Sequence, residues 1–344
     1  MIYLLMNLQK NRQLINFMLL HSYSLTNSGL MFGKSGIALC LFEAARFFEY
    51  EKLEEYGLEL LQEAIAWETS DYSFQNGKAG IICVAEYLIK NEFIDADLRE
   101  LCGEEINEII CYIKRLEKKQ ANISDCIGFL AFLFMIERQI SQSDFDDIYQ
   151  LLVSILNDYF VEFPASAFHY KLFYIYSSII LGFGNAIEGK KKYCLTQIID
   201  SIINKSNEMS MDCVCDNLSY AVNLYIYGKK YKHLKAIYIG ERALEIITDN
   251  IIKETLNLKQ LMEFPLILKQ LSSYEKNIDS LYNMCCTLGN SYFYMNGDSV
   301  RTSRTNLQLN ELMSFEAGVP KFIWIACLKN IEEWDFDKKI LLLF

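Results

Sequence analysis

The hydrophobic and polar positions of the chain follow two helical patterns that alternate. In the first, apolar residues fill nearly every position, which is typical of a helix buried on all sides. In the second, apolar residues recur every three or four positions among charged ones, which predicts a helix with one face in water. The first pattern covers 37–48, 81–89 and 129–136, and the second covers 53–65, 98–116 and 148–159. The sequence therefore predicts an all-α protein.

A glycine motif precedes each buried run, and its recurrence indicates a repeat. Clear copies are GKSGI at 33–37 and GKAGI at 77–81, with a weaker copy at 125–129 and a good one at 315–319. The second glycines of the clear copies, Gly36 and Gly80, are 44 residues apart, and Gly128 follows after 48. Continuing this period to Gly318 places further anchors near Leu172, Ser219 and Leu266, which predicts seven helical hairpins.

Such hairpins fit two concentric rings, the inner one buried on all sides and the outer one exposed on one side. Glycine at the start of each inner helix would allow close backbone approach and a positive φ in the preceding turn. The backbone N–H groups that begin the inner helices would then converge at one end of the rings. We expect a functional site at this end, which we call the mouth.

Charge and targeting signals exclude several classes of protein. The 33 Lys and Arg residues against 44 Asp and Glu residues give a net charge of −11, which argues against nucleic acid as the main partner. The first residues lack the pattern of a signal peptide, and no stretch has the roughly 20 apolar residues of a membrane helix. We expect a cytoplasmic protein without a transmembrane segment.

Cysteine and histidine content limits the chemistry. The 11 cysteines are odd in number and fall within apolar helical patterns, as at Cys40, Cys83, Cys111 and Cys327, so we expect most of them to be reduced core residues. The only 3 histidines, His21, His169 and His233, leave little room for metal or acid–base chemistry.

Three segments carry a resemblance to a known family: GLMFGKSGIALCLFEAARFF at 29–48, FQNGKAGIICVAEYLIKNEFID at 74–95, and SFEAGVPKFIWIACLKNIEEWDFDKKILLLF at 314–344. They resemble the G-x-x-G-I-A hairpins and the terminal repeat of the lanthionine synthetase C-like family, especially its bacterial members. The resemblance implies an (α/α)7 toroid of helical hairpins, a double α-barrel, formed as one domain by residues 1–344. It also implies a bacterial lanthipeptide-type maturation system, with a precursor peptide or a peptide-modifying enzyme as the partner.

Enzymes of that family add a Cys thiol to a dehydrated Ser or Thr, which closes a thioether ring. The resemblance implies a Zn²⁺ that holds the thiolate and a His that protonates the enolate. The family ligands are a Cys before the fifth inner helix, matched by Cys213 or Cys215, and a Cys-His pair before the sixth. That pair falls on Leu261 and Met262, and no Cys or His occurs from 234 to 284. We therefore expect a degenerate member without zinc that acts as a peptide- or partner-binding module.

An active peptide cyclase with a rebuilt zinc site is the alternative. It would use Cys213 or Cys215 together with His169, which precedes the fourth inner helix and otherwise has a capping role. The neighbouring pair Cys285 and Cys286 is too close to Gly318 to begin a full hairpin, so we place it in an outer helix. A peptide bound at the mouth would meet the residues next to the anchors, which are Lys34, Lys78, Asp125, Asp216 and Glu316.

Other functional hypotheses have less support in the sequence. The DxDD sequence at 144–147 resembles the proton donor of terpene-type cyclases, but acidic residues also favour the first turn of a helix, and we expect that structural role. A carbohydrate- or prenyl-active toroid would need paired carboxylates at the mouth, and no pair stands out. Gly182 and Gly184 follow no strand, so they do not form a phosphate loop.

Overall fold

The computed structural model describes residues 8–118, 121–162 and 214–253, with single helical positions at 172, 175, 176, 179, 180, 200, 203, 320 and 341. Regular structure in these ranges is helical without a strand, which confirms the all-α class. The helices are α1 (Leu8–Ser22), α2 (Lys34–Phe48), α3 (Lys52–Ile65), α4 (Lys78–Lys90), α5 (Leu98–Lys114), α6 (Ile123–Met135), α7 (Gln142–Glu162), α8 (Val214–Tyr231) and α9 (Leu234–Lys253). A 3₁₀ turn, Glu137–Gln139, separates α6 from α7. None of the helices described combines the length and the apolar composition needed to cross a bilayer.

Buried and amphipathic helices alternate as predicted. Every residue is buried from Ser35 to Ala45 in α2, from Ala79 to Leu88 in α4, and from Cys126 to Met135 in α6. Helices α3 and α5 each bury only one stripe. Each buried helix packs on the amphipathic helix that follows it, and α2, α4 and α6 also pack side by side in that order. The described hairpins therefore form an inner layer of α2, α4 and α6 and an outer layer of α3, α5 and α7.

Polar contacts between neighbouring hairpins recur with the repeat. Arg46 Nη2 donates to the carbonyl oxygen of Asn91 at 2.6 Å, and Lys90 Nζ donates to that of Met135, also at 2.6 Å. The two basic residues each lie ten positions after an anchor glycine, and both acceptors lie at the end of the next inner helix. Carbonyl groups at a helix end have no hydrogen-bond partner within the helix. In these contacts each hairpin supplies a donor to one such carbonyl oxygen of the next hairpin.

A buried hydrogen bond joins α2 to α4 within the inner layer. The Tyr87 hydroxyl, fully buried, donates to the carboxylate of Glu43, which is 7% exposed. Both residues lie seven positions after their anchor glycines. The second buried carboxylate, Glu86, lies 3.4 Å from Lys90 Nζ. A buried carboxylate needs such a partner, because a charged group that loses its hydration without gaining one raises the free energy of the fold.

The anchor glycines provide close approach, as predicted, but not a positive φ. A Cβ on Gly80 would lie 2.0 Å from the carbonyl oxygen of Phe74, and one on Gly128 would lie 2.5 Å from the Cβ of Phe74. No described glycine has a positive φ, so the predicted left-handed turn is wrong. Gly33 and Gly77 instead precede α2 and α4 in extended conformation, with φ of −140° and −110°. Glycine is needed here for space.

Among the described cysteines with known burial, all but one are core residues. Cys40, Cys83, Cys102 and Cys126 are buried, but Cys111 is exposed. The core role predicted for Cys111 is wrong because α5 buries the stripe that includes Ile106, Ile109 and Ile113, and residue 111 lies off this stripe. Cys327 lies outside the described residues.

The substitution Gly80→Ala tests the packing on Phe74. We expect it to lower the free energy of unfolding by at least about 2 kcal/mol, because the new Cβ meets backbone rather than a movable side chain. Gly103→Ala in α5 is the matched control, since a Cβ there lies 3.8 Å from the nearest atom, Arg99 Cδ. This control should be neutral or up to about 1 kcal/mol more stable. Urea unfolding followed by circular dichroism measures both, and equal stabilities would contradict the close contact.

Candidate functional site

Two loops of the same construction close the mouth end of the first two described hairpins. Asn27 Oδ1 accepts from Gly29 N at 2.7 Å, and Asp71 Oδ1 accepts from Ser73 N at 2.7 Å. Each of these residues also accepts, through its backbone oxygen, the N–H seven positions later, that of Lys34 at 3.1 Å or Lys78 at 2.9 Å. Asn and Asp stabilise such turns because their side chains mimic a backbone acceptor. The repeat therefore begins at residues 27 and 71, earlier than the glycine motif that reveals it.

The two loops also pack on each other. Met31 N donates to the carbonyl oxygen of Gln75 at 2.8 Å, and a Cβ on Gly29 would lie 2.4 Å from the backbone of Asn76. This contact holds the start of α2 against the start of α4. The mouth end is therefore a continuous surface across these hairpins.

The two lysines predicted at the mouth form ion pairs within their own hairpins. Lys34 pairs with Glu63 of α3, and Lys78 Nζ lies 3.0 Å from Glu108 of α5. Each pair joins the first residue of an inner helix to the later part of its outer helix. The carboxylate partners are about half exposed, so each pair contributes little stability. The pairs do neutralise the lysines locally, and the role of Lys34 and Lys78 in peptide binding stays a prediction.

Aromatic side chains cover the mouth end between the second and third described hairpins. The ring centroids of Tyr72 and Tyr112 lie 5.0 Å apart, and those of Tyr112 and Phe129 lie 5.8 Å apart. Tyr112 is 42% exposed, which leaves its ring available from solvent. We call Tyr72, Tyr112, Asp71 and Asp125 the mouth patch. Exposed tyrosines combine an apolar ring with a hydroxyl, and such residues are enriched where proteins bind one another.

Asp125 places a half-buried carboxyl group in the mouth patch. It lies in the first turn of α6, where Asn122 Oδ1 accepts from the backbone N–H groups of Ser124 at 2.9 Å and Asp125 at 3.4 Å. Burial raises the pKa of Asp125, and the charge of exposed Asp71 raises it further. The patch therefore contains two interacting carboxyl groups. Sequence reasoning missed Asp71, although its position six residues before Gly77, like that of Asn27 before Gly33, is a readable signal.

The remaining predicted site residues lie partly beyond the described structure. Cys215 and Asp216 belong to the first turn of α8, which begins at Val214, close to the anchor predicted at Ser219. His169, Cys213 and Glu316 fall outside the described residues, as do Leu261, Met262, Cys285 and Cys286. No group of three or more His, Cys, Asp or Glu side chains that could hold a metal occurs within the ranges given above.

The DxDD sequence begins a helix, as predicted. Ser141, just before α7, accepts from the backbone N–H of Asp144 at 3.1 Å and donates its hydroxyl to the Asp144 carboxylate at 2.7 Å. An ion-paired hydrogen bond from Lys114, together with this hydroxyl, lowers the pKa of Asp144. Asp144 is thus held ionised in the first turn of α7, three residues after the capping Ser141, where a negative charge favours the helix start.

The chain was also compared with known proteins. No protein-family model, curated protein or solved structure matches it. What the chain does must therefore be inferred from its own residues and from the contacts they make.

Replacing the two aspartates at helix starts should change the stability of the fold at neutral pH in opposite directions. Because burial raises the pKa of folded Asp125 above the ordinary 3.8, its ionisation destabilises the fold at neutral pH. We expect Asp125→Asn to be more stable than the parent chain at pH 7, and this gain should vanish as the pH falls below 3.8. Asp144→Asn is the comparison, because its lowered pKa makes ionised Asp144 stabilising at pH 7. It should lose stability there and approach the parent chain in acid. Thermal melts at several pH values would contradict the assignment if both changes had the same sign.

Proposed function

We propose that the described hairpins belong to an (α/α)7 toroid of the lanthionine synthetase C-like type, formed by residues 1–344 as one domain. Three observations support the toroid: the inner layer of α2, α4 and α6, the polar contacts that recur with the repeat, and the start of α8 near the predicted fifth anchor. A layer of inner helices that adds one hairpin per repeat extends naturally into a ring. The segments at 29–48 and 74–95, on which the resemblance depends, form the first described hairpin starts.

We infer that the chain is a peptide- or partner-binding module of a bacterial peptide-maturation system. The observation that carries this inference is the mouth patch, where exposed Tyr112 packs against Tyr72 beside the carboxyl groups of Asp71 and Asp125. The rings offer apolar contact to a polypeptide, and the carboxyl groups offer acceptors for its N–H groups or basic side chains. The net charge of −11 suits a partner that is neutral or basic.

The residues of this chain do not fit the zinc centre of the family. The stretch 234–284, where the family has its Cys-His pair, contains neither residue type. Two thiolates from Cys213 and Cys215 would leave tetrahedral Zn²⁺ half ligated. We therefore propose binding without ring formation and without a resident cofactor. A cytoplasmic location, where cysteines stay reduced, is part of this proposal.

Zinc content separates the binding module from the alternative, an active cyclase with a rebuilt site. We expect close to zero zinc per chain in protein purified anaerobically without chelator, measured by mass spectrometry of the metal. A value near one would favour the cyclase instead. Alanine substitution of Cys213, Cys215 and His169 should then remove the metal.

Binding at the mouth patch can be tested with peptides selected from a displayed random library against the full chain. We expect Tyr112→Ala to weaken the selected peptides about tenfold or more, as the loss of an exposed aromatic contact at an interface does. Tyr56→Ala is the matched control, because Tyr56 is similarly exposed on the outer helix α3. Peptides that bind both variants equally well would place the binding surface elsewhere.

A further inference from the structure

A groove opens on the outer layer between the end of α3 and the middle of α5. Its volume is about 200 Å³. Buried Ile81 and Ile82 of the inner helix α4 line it, together with Trp67 from the segment after α3. This volume is below the 300 to 1,000 Å³ of pockets for drug-sized ligands, so it suits a single side chain.

Two of the three charged residues at the groove are acidic. Glu68 and Glu105 line the groove, and neither makes an ion pair with any residue in the described ranges. Lys78 also lines it, but its ammonium group is held 3.0 Å from Glu108. The groove therefore has an apolar floor and a rim with uncompensated negative charge.

The wall formed by α5 is irregular at this point. Cys102 lines the groove and has non-helical backbone angles, φ −138° and ψ 21°, which kink the helix. Packing does not require the adjacent Gly103, because a Cβ there would have no atom nearer than 3.8 Å. Burial, and then the charge of Glu105, raise the pKa of the Cys102 thiol to about 12, so the thiol adds no charge to the groove. The kink at Cys102 affects the direction of the part of α5 that carries Glu105, and so the shape of this wall.

From this combination we propose that the groove binds the lysine or arginine side chain of a polypeptide. The apolar stem of such a side chain would lie on Ile81 and Ile82, and its cationic head would meet Glu68 and Glu105. Trp67 adds an aromatic face, which attracts ammonium and guanidinium groups. Long basic side chains combine an apolar stem with a charged end in this way. None of the four mouth-patch residues lines this groove, and the proposal holds whether or not the mouth patch binds a peptide.

The test uses capped amino acids and the full chain. Nα-acetyl-lysine methylamide and Nα-acetyl-arginine methylamide are titrated while the indole N–H of Trp67, one of 3 Trp residues, is followed by nuclear magnetic resonance. The resonance is assigned with Trp67→Phe. We expect saturable shifts with dissociation constants in the millimolar range, because exposed charge pairs contribute modestly. The neutral isostere, Nα-acetyl-norleucine methylamide, should bind at least fivefold more weakly.

Charge-neutral variants identify the carboxylates that matter. Glu68→Gln combined with Glu105→Gln should weaken the lysine probe about tenfold, as expected for two exposed ion pairs together. The control is Glu104→Gln, an exposed residue next to Glu105 that does not line the groove. The proposal is overturned if Trp67 shows no saturable shift, if the norleucine probe binds as tightly as lysine, or if Glu104→Gln weakens binding as much as the double variant.

Discussion

The burial of the inner helices on every side is the constraint on which the rest of the described structure depends. In a helix without a solvent face an unpaired charge is costly, and a side chain larger than its neighbours allow does not fit. Glu43 is therefore bonded to Tyr87 across the layer, and Glu86 lies beside Lys90. Gly80 and Gly128 lack side chains because Phe74 occupies the space. The outer helices, with one face in water, carry more charged residues.

Because of the same constraint, the polar groups of the inner helices that reach solvent lie at the helix ends. At the mouth end, loops built around Asn27 and Asp71 satisfy the first N–H groups of α2 and α4, and Lys34 and Lys78 are neutralised by their own outer helices. Tyr112 and Asp71 of the mouth patch are exposed to solvent. At the opposite end, Arg46 and Lys90 donate hydrogen bonds to backbone carbonyl oxygens of the next hairpin. The mouth end thus exposes acidic and tyrosyl groups, while hydrogen bonds join neighbouring repeats at both ends.

Lys78 connects the two surfaces proposed to bind polypeptide. Its ammonium group lies 3.0 Å from Glu108 and 5.8 Å from the ring centroid of Tyr72, and the residue also lines the outer groove. A fold of this kind does not by itself assign an activity, so each surface is argued from its own residues. Both are proposed to bind polypeptide, the mouth patch a basic or neutral one and the groove a basic side chain. The family chemistry that the resemblance implies would require ligands that the stretch 234–284 lacks.

The sequence alone determined which described helices are inner and which are outer, because the spacing of apolar residues directly reports how many faces of a helix leave water. It also determined the helix start at the DxDD sequence and the close approach at Gly80, which depend on Ser141 and Phe74, residues near in the chain. It misplaced Cys111 by treating an apolar neighbourhood as a buried position, and it expected a positive φ where glycine serves only for space. The interaction of Asp71 with Asp125, the groove beside Cys102 and the pairing of Lys78 with Glu108 were decided by tertiary structure. These contacts join residues tens of positions apart, and their geometry depends on how hairpins pack, which no local periodicity records.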